Sequence, residues 1–310
     1  MKILRLSILS IFIFVLSYGV SNAQSDLLIA VDDTCVSDGG SGSTLSSLYR
    51  ANPQTGATSL IGPIGFNAVT GMAVLGDGRL VASARADANG ERISILIEID
   101  PRTGQGTLIG TIGNNEEGGC GRAPDLTYDA ATDTLYGIGF RCVPGDGHGN
   151  ITELLQINQT TGEGTTIGQT GFFGGGNGLA ISAGGILFSS ENIEFISINP
   201  QTGQGTLVAN HPLIEFVMSA MDFHPQTGEL FGIEFGFGPL PDFPTYLVTI
   251  NTSNAVITRI SELPFCSDAL VFVSLPPSNV PTLSEWGLIA MASVLGIVGF
   301  MVARRRKATA

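Results

Sequence analysis

Positive charge is what this sequence has least of. Across 310 residues, lysine occurs only as Lys2 and Lys307, and 14 basic residues stand against 27 acidic ones. Six of the 14 lie at the two ends, so the stretch between carries eight against 27, a net of about −19. Such a segment repels nucleic acid and anionic lipid surfaces, and no nucleic-acid partner is expected. Tryptophan occurs once, as Trp286, cysteine four times and histidine three times. His148, His211 and His224 lie far apart, ligands at zinc spacing are missing, and there is no G-x-S-x-G nucleophile motif. No stretch fits the twelve-residue calcium loop. No cofactor is expected, with a divalent cation held by oxygen ligands from separate loops as the open alternative. Glycine, by contrast, is abundant at 42 residues, with 43% hydrophobic and only 13% charged residues. That composition is too apolar for a disordered linker and reads as many short strands joined by tight turns.

The two ends have their own character. Lys2 and Arg5 precede an apolar run over residues 8–16, and small residues Ser21, Asn22 and Ala23 precede Gln24. This is the layout of a secretory signal peptide, expected to end at residue 23. At the other end residues 288–303 carry no charge, and Arg304, Arg305, Arg306 and Lys307 follow at once. Sixteen residues rise about 24 Å as a helix, a little short of a hydrocarbon core of about 30 Å. Trp286 and snorkelling arginines would bridge the two interfaces. The basic cluster belongs on the cytoplasmic side, which turns everything before it outward. The expected division is signal peptide 1–23, β domain 24–275, linker and sorting segment 276–287, transmembrane helix 288–303 and basic tail 304–310.

Val280, Pro281, Thr282, Leu283, Trp286 and Gly287, followed by the apolar stretch and Arg304, Arg305 and Arg306, resemble a C-terminal sorting signal. Its pattern, PTL-x-x-WG, occurs on exported proteins of Gram-negative bacteria; Val280 replaces the usual Ile. The resemblance covers about thirty residues of the chain. It implies an exosortase-type sorting machinery as partner and a first location at the inner membrane with the domain on the periplasmic side. The cell surface or extracellular space would follow after processing.

Between the ends the chain repeats itself. Five segments read as a strand, an Asn/Asp-Pro-x-Thr-Gly turn or its relic, and a second strand. They are LYRANPQTGATSLIG (48–62), LIEIDPRTGQGTLIG (96–110), LLQINQTTGEGTTIG (154–168), FISINPQTGQGTLVA (195–209) and YLVTINTSNAVITRI (246–260). Proline presets φ, Asn or Asp bonds its own backbone, and glycine takes positive φ, so each segment is a hairpin. Gly56, Gly104, Gly162, Gly203 and the aligned Ala255 are spaced by 48, 58, 41 and 52 residues. A second hairpin recurs at 71–84, 125–139, 178–190 and 220–234, giving four strands in about 50 residues, the size of a propeller blade. Its fifth copy is split: DLLIAVDD (26–33) supplies one half and DALVFVS (268–274) the other. The expected fold is therefore all-β, a five-bladed β-propeller closed by pairing of the first and last strands. Six blades is the alternative.

Cys35, Cys120, Cys142 and Cys266 allow three disulfide connectivities. The stretch 133–142 aligns with 26–35 without a gap, and Cys120 and Cys266 each precede an inner strand. In an antiparallel pair the start of one strand faces the end of the next, which favours Cys120–Cys142 and Cys35–Cys266.

The long connections follow the second strand of each repeat, at 34–47, 85–92, 141–152 and 234–244, with 114–124 on the same edge. Loops gathered on one face of a rigid scaffold suit recognition. Asp32, Asp33, Glu116, Glu117, Asp125 and Asp146 are the acids there, read first as solvated loop residues, and His224 is read as a turn residue. The repeats also resemble exported propellers with recurring xI(D/N)PxTG strands, a functionally mixed group. Lactonase-type propellers are their enzymatic relatives, and that likeness implies a metal on the central axis held by acids. Asp125 and Asp222 start near inner strands, but Gly71 and Gly178 stand at matching places. The expectation is a non-catalytic recognition or structural protein of the cell envelope whose ligand no motif names. The alternative is a metal-dependent hydrolase or lactonase.

Overall fold

A computed structural model describes residues 25–32, 45–88, 91–114, 125–142, 150–173, 177–212, 216–236, 244–264 and 266–274, and five helical residues between 292 and 304. Ser25–Ser274 folds as one compact unit, with Met1–Gln24 and Leu275–Ala310 assigned to another. The first unit opens with β1 (Asp26–Asp32), β2 (Leu45–Ala51), β3 (Thr58–Val74), β4 (Leu80–Ala88), β5 (Glu91–Ile99) and β6 (Gly106–Asn114). Then β7 (Asp125–Asp129), β8 (Thr134–Cys142), β9 (Asn150–Ile157) and β10 (Gly164–Phe173) form a four-stranded sheet in chain order. β11 (Asn177–Ile181), β12 (Leu187–Glu191), β13 (Glu194–Ile198) and β14 (Gly205–Asn210) form a second. β15 (Phe216–Phe223), β16 (Leu230–Gly236), β17 (Thr245–Ile250) and β18 (Ile257–Glu262) form a third. The last strand, β19 (Ser267–Val273), pairs antiparallel with β1 from Asp26↔Val273 to Val31↔Ser267, so the first sheet reads β19-β1-β2-β3-β4-β5-β6. All described pairings are antiparallel.

That seven-stranded sheet corrects one expectation. The end of the first repeat and the start of the next hairpin are one strand, β3, which pairs β2 along its first half and β4 along its second. Gly65 (φ 83°) and Ala68 (φ 46°) bend the backbone within it and the register shifts there, yet the strand runs on from Thr58 to Val74 and serves two four-stranded units. The loop expected at 85–92 is also largely strand, since β4 and β5 pair out to Ala88↔Glu91.

The tight turns obey the chemistry of their sequence. Asn52 Oδ1 accepts from the Gln54 and Thr55 N–H at 2.9 and 3.0 Å, and Asp100, Asn158, Asn199 and Asn251 bond their own turns likewise. The residue that ends each turn is left-handed: Gly56 has φ 67°, and Ala255, standing where the others have glycine, has φ 56°. A buried methyl compensates for that strain, because Ala255 is fully enclosed in a core cluster.

A bulge then recurs on every outer strand. Leu48↔Gly62, Leu96↔Gly110, Leu154↔Gly168, Phe195↔Ala209 and Leu247↔Ser261 are equivalent pairs, each beside a register shift. The extra residues are Ile61, Ile109, Ile167, Val208 and Ile260. Four of them, from Ile109 onward, pack against cores shared with the next sheet. Bulges turn a β-branched side chain inward and spoil the outer edge as a template for aggregation. In the fifth repeat Leu247, eight residues before Ala255, takes the place of Leu48, one residue inside the start of the segment at Tyr246.

Neighbouring units meet closely through these turns. A Cβ on Gly104 would lie 2.6 Å from the Gly62 carbonyl oxygen, and one on Gly203 would lie 2.6 Å from that of Gly168. Gly162 meets Gly110 in the same way, and a Cβ on Gly56 would lie 2.7 Å from Ser261 Oγ. The last of these joins the fourth strand of the final sheet to the first turn of the chain. One core cluster makes the same join, combining Leu27, Ile29 and Leu270 with Ile233 and Leu247. The first strands of successive units also follow one another in a circuit, β3 beside β7, then β11, β15, β19 and β3 again.

Candidate functional site

The inner strands bring two carboxylates together. Asp125 opens β7 and is 3% exposed, a correction to its reading as a solvated loop acid. Its Oδ1 accepts from the Leu126 N–H at 2.8 Å, and its Oδ2 from the Leu179 N–H of β11 at 2.6 Å. The Met221 N–H of β15 also donates to it, so one side chain holds the backbones of three strands. Two positions on, Thr127 Oγ1 accepts from the Ile181 N–H of β11 at 3.2 Å. Asp222 of β15 does the same in a later repeat, accepting at 2.8 Å from its own Phe223 N–H and from the Phe272 N–H of β19. Six backbone N–H groups from four inner strands therefore end on three side-chain acceptors.

Burial pushes the Asp125 carboxyl well above the ordinary carboxylate range, against the pull of its three N–H donors, and the nearby Asp222 charge adds to the rise. Asp222, partly exposed, is raised to about 7 by desolvation. Two acids with elevated pKa values near each other are the pattern expected of a site. Their oxygens are nonetheless directed at peptide N–H groups, which is what a strand-gripping role requires. Among the described residues no group of three or more His, Cys, Asp or Glu is placed to hold a metal ion.

Two further buried acids escaped the sequence reading. Glu191 and Glu234 occupy equivalent places, each four residues after the leucine that opens its strand (Leu187, Leu230), and both are 0% exposed. Glu191 accepts from Thr152 Oγ1 at 3.0 Å and Ser189 Oγ at 3.1 Å. Glu234 takes a forked pair of bonds from Arg259, one at 2.8 Å from Nε, and that guanidinium lies 4.3 Å above the Tyr246 ring. The shared L-F-x-x-E spelling (LFSSE, LFGIE) was the available signal. His211 also lies inside, its Nδ1 3.0 Å from the Ala255 carbonyl and its Nε2 2.9 Å from Ser190 Oγ. The carbonyl can only accept, so Nδ1 carries the proton and Nε2 accepts from the serine. Burial holds this imidazole below its usual pKa.

The remaining sequence-selected residues are scattered. His224 sits in its turn, Nδ1 accepting from the Gln226 and Thr227 N–H at 3.2 Å as an asparagine would. Asp32 accepts from Ser46 Oγ. Cys266 is disulfide-bonded and its carbonyl accepts from the Asp32 N–H at 3.1 Å. Cys142 ends β8, while Cys35 and Cys120 lie outside the described residues, as do Asp33, Glu116, Glu117, Asp146 and His148. So do residues 1–24, expected as the signal peptide, and the sorting residues Val280, Pro281, Thr282, Leu283, Trp286, Gly287, Arg305 and Arg306. In the expected transmembrane segment only Ala292, Ser293, Leu295 and Ile297 are described, all helical, as is Arg304 beyond it. No helix among the described residues is long and apolar enough to cross a membrane.

Comparison with known proteins gives one family and a set of structures. The IPTL-CTERM motif matches residues 280–306. No curated protein sequence matches. A Bacteroides thetaiotaomicron protein of unknown function is similar over 76% of this chain at 15% identity and TM-score 0.42, and this chain spans half of that one. A structure of a nidogen/laminin complex is similar over 81% of this chain and 98% of the other, at 11% identity and TM-score 0.44. A gluconolactonase from Xanthomonas campestris is similar over 73% of this chain and 74% of its own, at 13% identity and TM-score 0.44. The chain is an exported protein of propeller-like, all-β build that carries a C-terminal IPTL-CTERM sorting motif.

Proposed function

We propose that this chain is a cell-envelope-associated, five-bladed β-propeller acting in recognition or structure rather than catalysis, and processed through its C-terminal motif by an exosortase-type machinery. The observation that carries the non-catalytic reading is the use of the Asp125 and Asp222 carboxylates. Both grip peptide N–H groups of neighbouring inner strands, so the acids nearest the axis hold the scaffold together. The closed five-fold arrangement is supported by the β1–β19 pairing, by the recurrent bulge and by the meeting of Gly56 with Ser261. Recognition would fall to the connections on the edge opposite the tight turns. The segment 288–303 would hold the chain in the inner membrane, domain outward, until processing releases it to the surface.

The disulfides belong to the same proposal. β1 ends at Asp32, whose N–H meets the Cys266 carbonyl three residues before Cys35 in sequence, and Cys142 ends β8, the strand that pairs with β7 just after Cys120 in sequence. Both favour Cys35–Cys266 and Cys120–Cys142. A panel of aldonolactones, incubated with the chain in the presence of Ca2+, Mn2+ or Zn2+, tests the catalytic question. The expected result is hydrolysis no faster than with the Asp125→Asn variant. Metal-dependent hydrolysis lost in that variant would establish the lactonase reading instead.

A further inference from the structure

The backbone at the inner strands presents converging donors to a carboxyl group. Leu126, Leu179 and Met221 hold equivalent positions in three inner strands, and all deliver their N–H to one carboxylate. Converging peptide N–H groups form a concavity of positive potential, the opposite of what a cation needs. Space at this level is kept for a single acid. The registers Gly71↔Ser83, Ala220↔Ile233 and Ala269↔Ala30 match Asp125↔Ile138, and Gly178 holds the fourth equivalent place. Glycine or alanine at the other four positions leaves room for the one side chain that reaches across.

We propose that the inner-strand tier formed by the Leu126, Leu179 and Met221 N–H groups is a carboxylate-binding site, occupied by the chain's own Asp125. Its ligand class is a small monocarboxylate. In the intact chain the tethered carboxyl of Asp125 is that ligand, which excludes competitors by its high effective concentration. Asp222 and Thr127, one tier further along the strands, fill equivalent donor positions in the same manner.

Chemical rescue tests the proposal on the full-length chain. Asp125→Gly vacates the tier and leaves three buried donors unpaired, which lowers the melting temperature by roughly 10 °C. Formate at ten times its dissociation constant should then recover about 4 °C in the variant and nothing in the parent. Chloride at equal ionic strength controls for salt. Equal response of variant and parent to formate overturns the proposal, as does rescue by Ca2+ or Zn2+ in place of formate. If Asp125→Gly does not fold, Asp125→Asn is read by amide resonances in chains labelled with 15N-leucine and 15N-methionine. The Leu126, Leu179 and Met221 signals should all shift relative to the parent. Movement of Leu126 alone would overturn the shared site.

Discussion

The turn edge and the inner strands of this protein are built on different rules. At the turn edge each repeat does the same thing: an Asx-type bond, a left-handed residue, a bulge and a close meeting with the neighbouring unit. At the inner strands the repeats diverge: the same position holds glycine in two (Gly71, Gly178), alanine in two (Ala220, Ala269) and an acid in one (Asp125). The repeated edge sets the geometry, because each unit must fit its neighbour. The inner strands are free to differ because one long side chain can serve several backbones at once. Scaffold and individuality are thus separated in space, and substitutions at the two places should act differently.

The largest effect is expected at the turn edge. A Cβ on Gly110 would run into the carbonyl oxygen of Thr161, a backbone atom that can move only with its whole turn. Gly110→Val should therefore cost more than about 4 kcal/mol or abolish folding. Chemical denaturation checks this, and a loss below about 1 kcal/mol would mean the units are not as tightly joined as described.

At the inner strands the effect should be smaller and dependent on pH. Asp222 is raised from 3.8 to about 7, so the folded state binds more protons than the unfolded state between those values. Its contribution is greatest below about pH 4 and is lost as pH rises through 7. Between pH 5 and pH 8 the loss amounts to about 2 kcal/mol, allowing for its partial exposure. Asp222→Asn, which keeps an acceptor for the Phe272 N–H, should flatten that part of the profile in urea titrations. An unchanged slope would show that Asp222 is not the group responsible.

The smallest effect is expected where the chain already departs from its own repeat without penalty. His224 makes the bonds that Asn199 makes in its own turn, so His224→Asn should change stability by no more than about 0.5 kcal/mol. A larger loss would point to the packing of the His224 ring on Phe272, whose centroids are 4.7 Å apart.

These contrasts also explain what could be read in advance. The turns were legible because Asn-Pro-x-Thr-Gly states its conformation locally, and even Ala255 could be placed by its spacing from Asn251. The split hairpin was legible because residues 26–33 and 268–274 each carry half of a recurring pattern. The continuity of β3 was not, since nothing local distinguishes one strand shared by two units from two strands. Asp125 looked like a solvated loop acid, and Asp222 stood out only as lying near an inner strand. Only the neighbouring strands, which are distant in sequence, reveal the N–H groups they hold.

All of this depends on the first and last parts of the chain forming one unit equivalent to the others. Non-reducing peptide mapping of the oxidised protein tests that most directly. A fragment joining Cys35 to Cys266 is expected, together with one joining Cys120 to Cys142. A fragment joining Cys35 to Cys120 or to Cys142 would contradict both the pairing and the closed five-unit arrangement proposed for the chain.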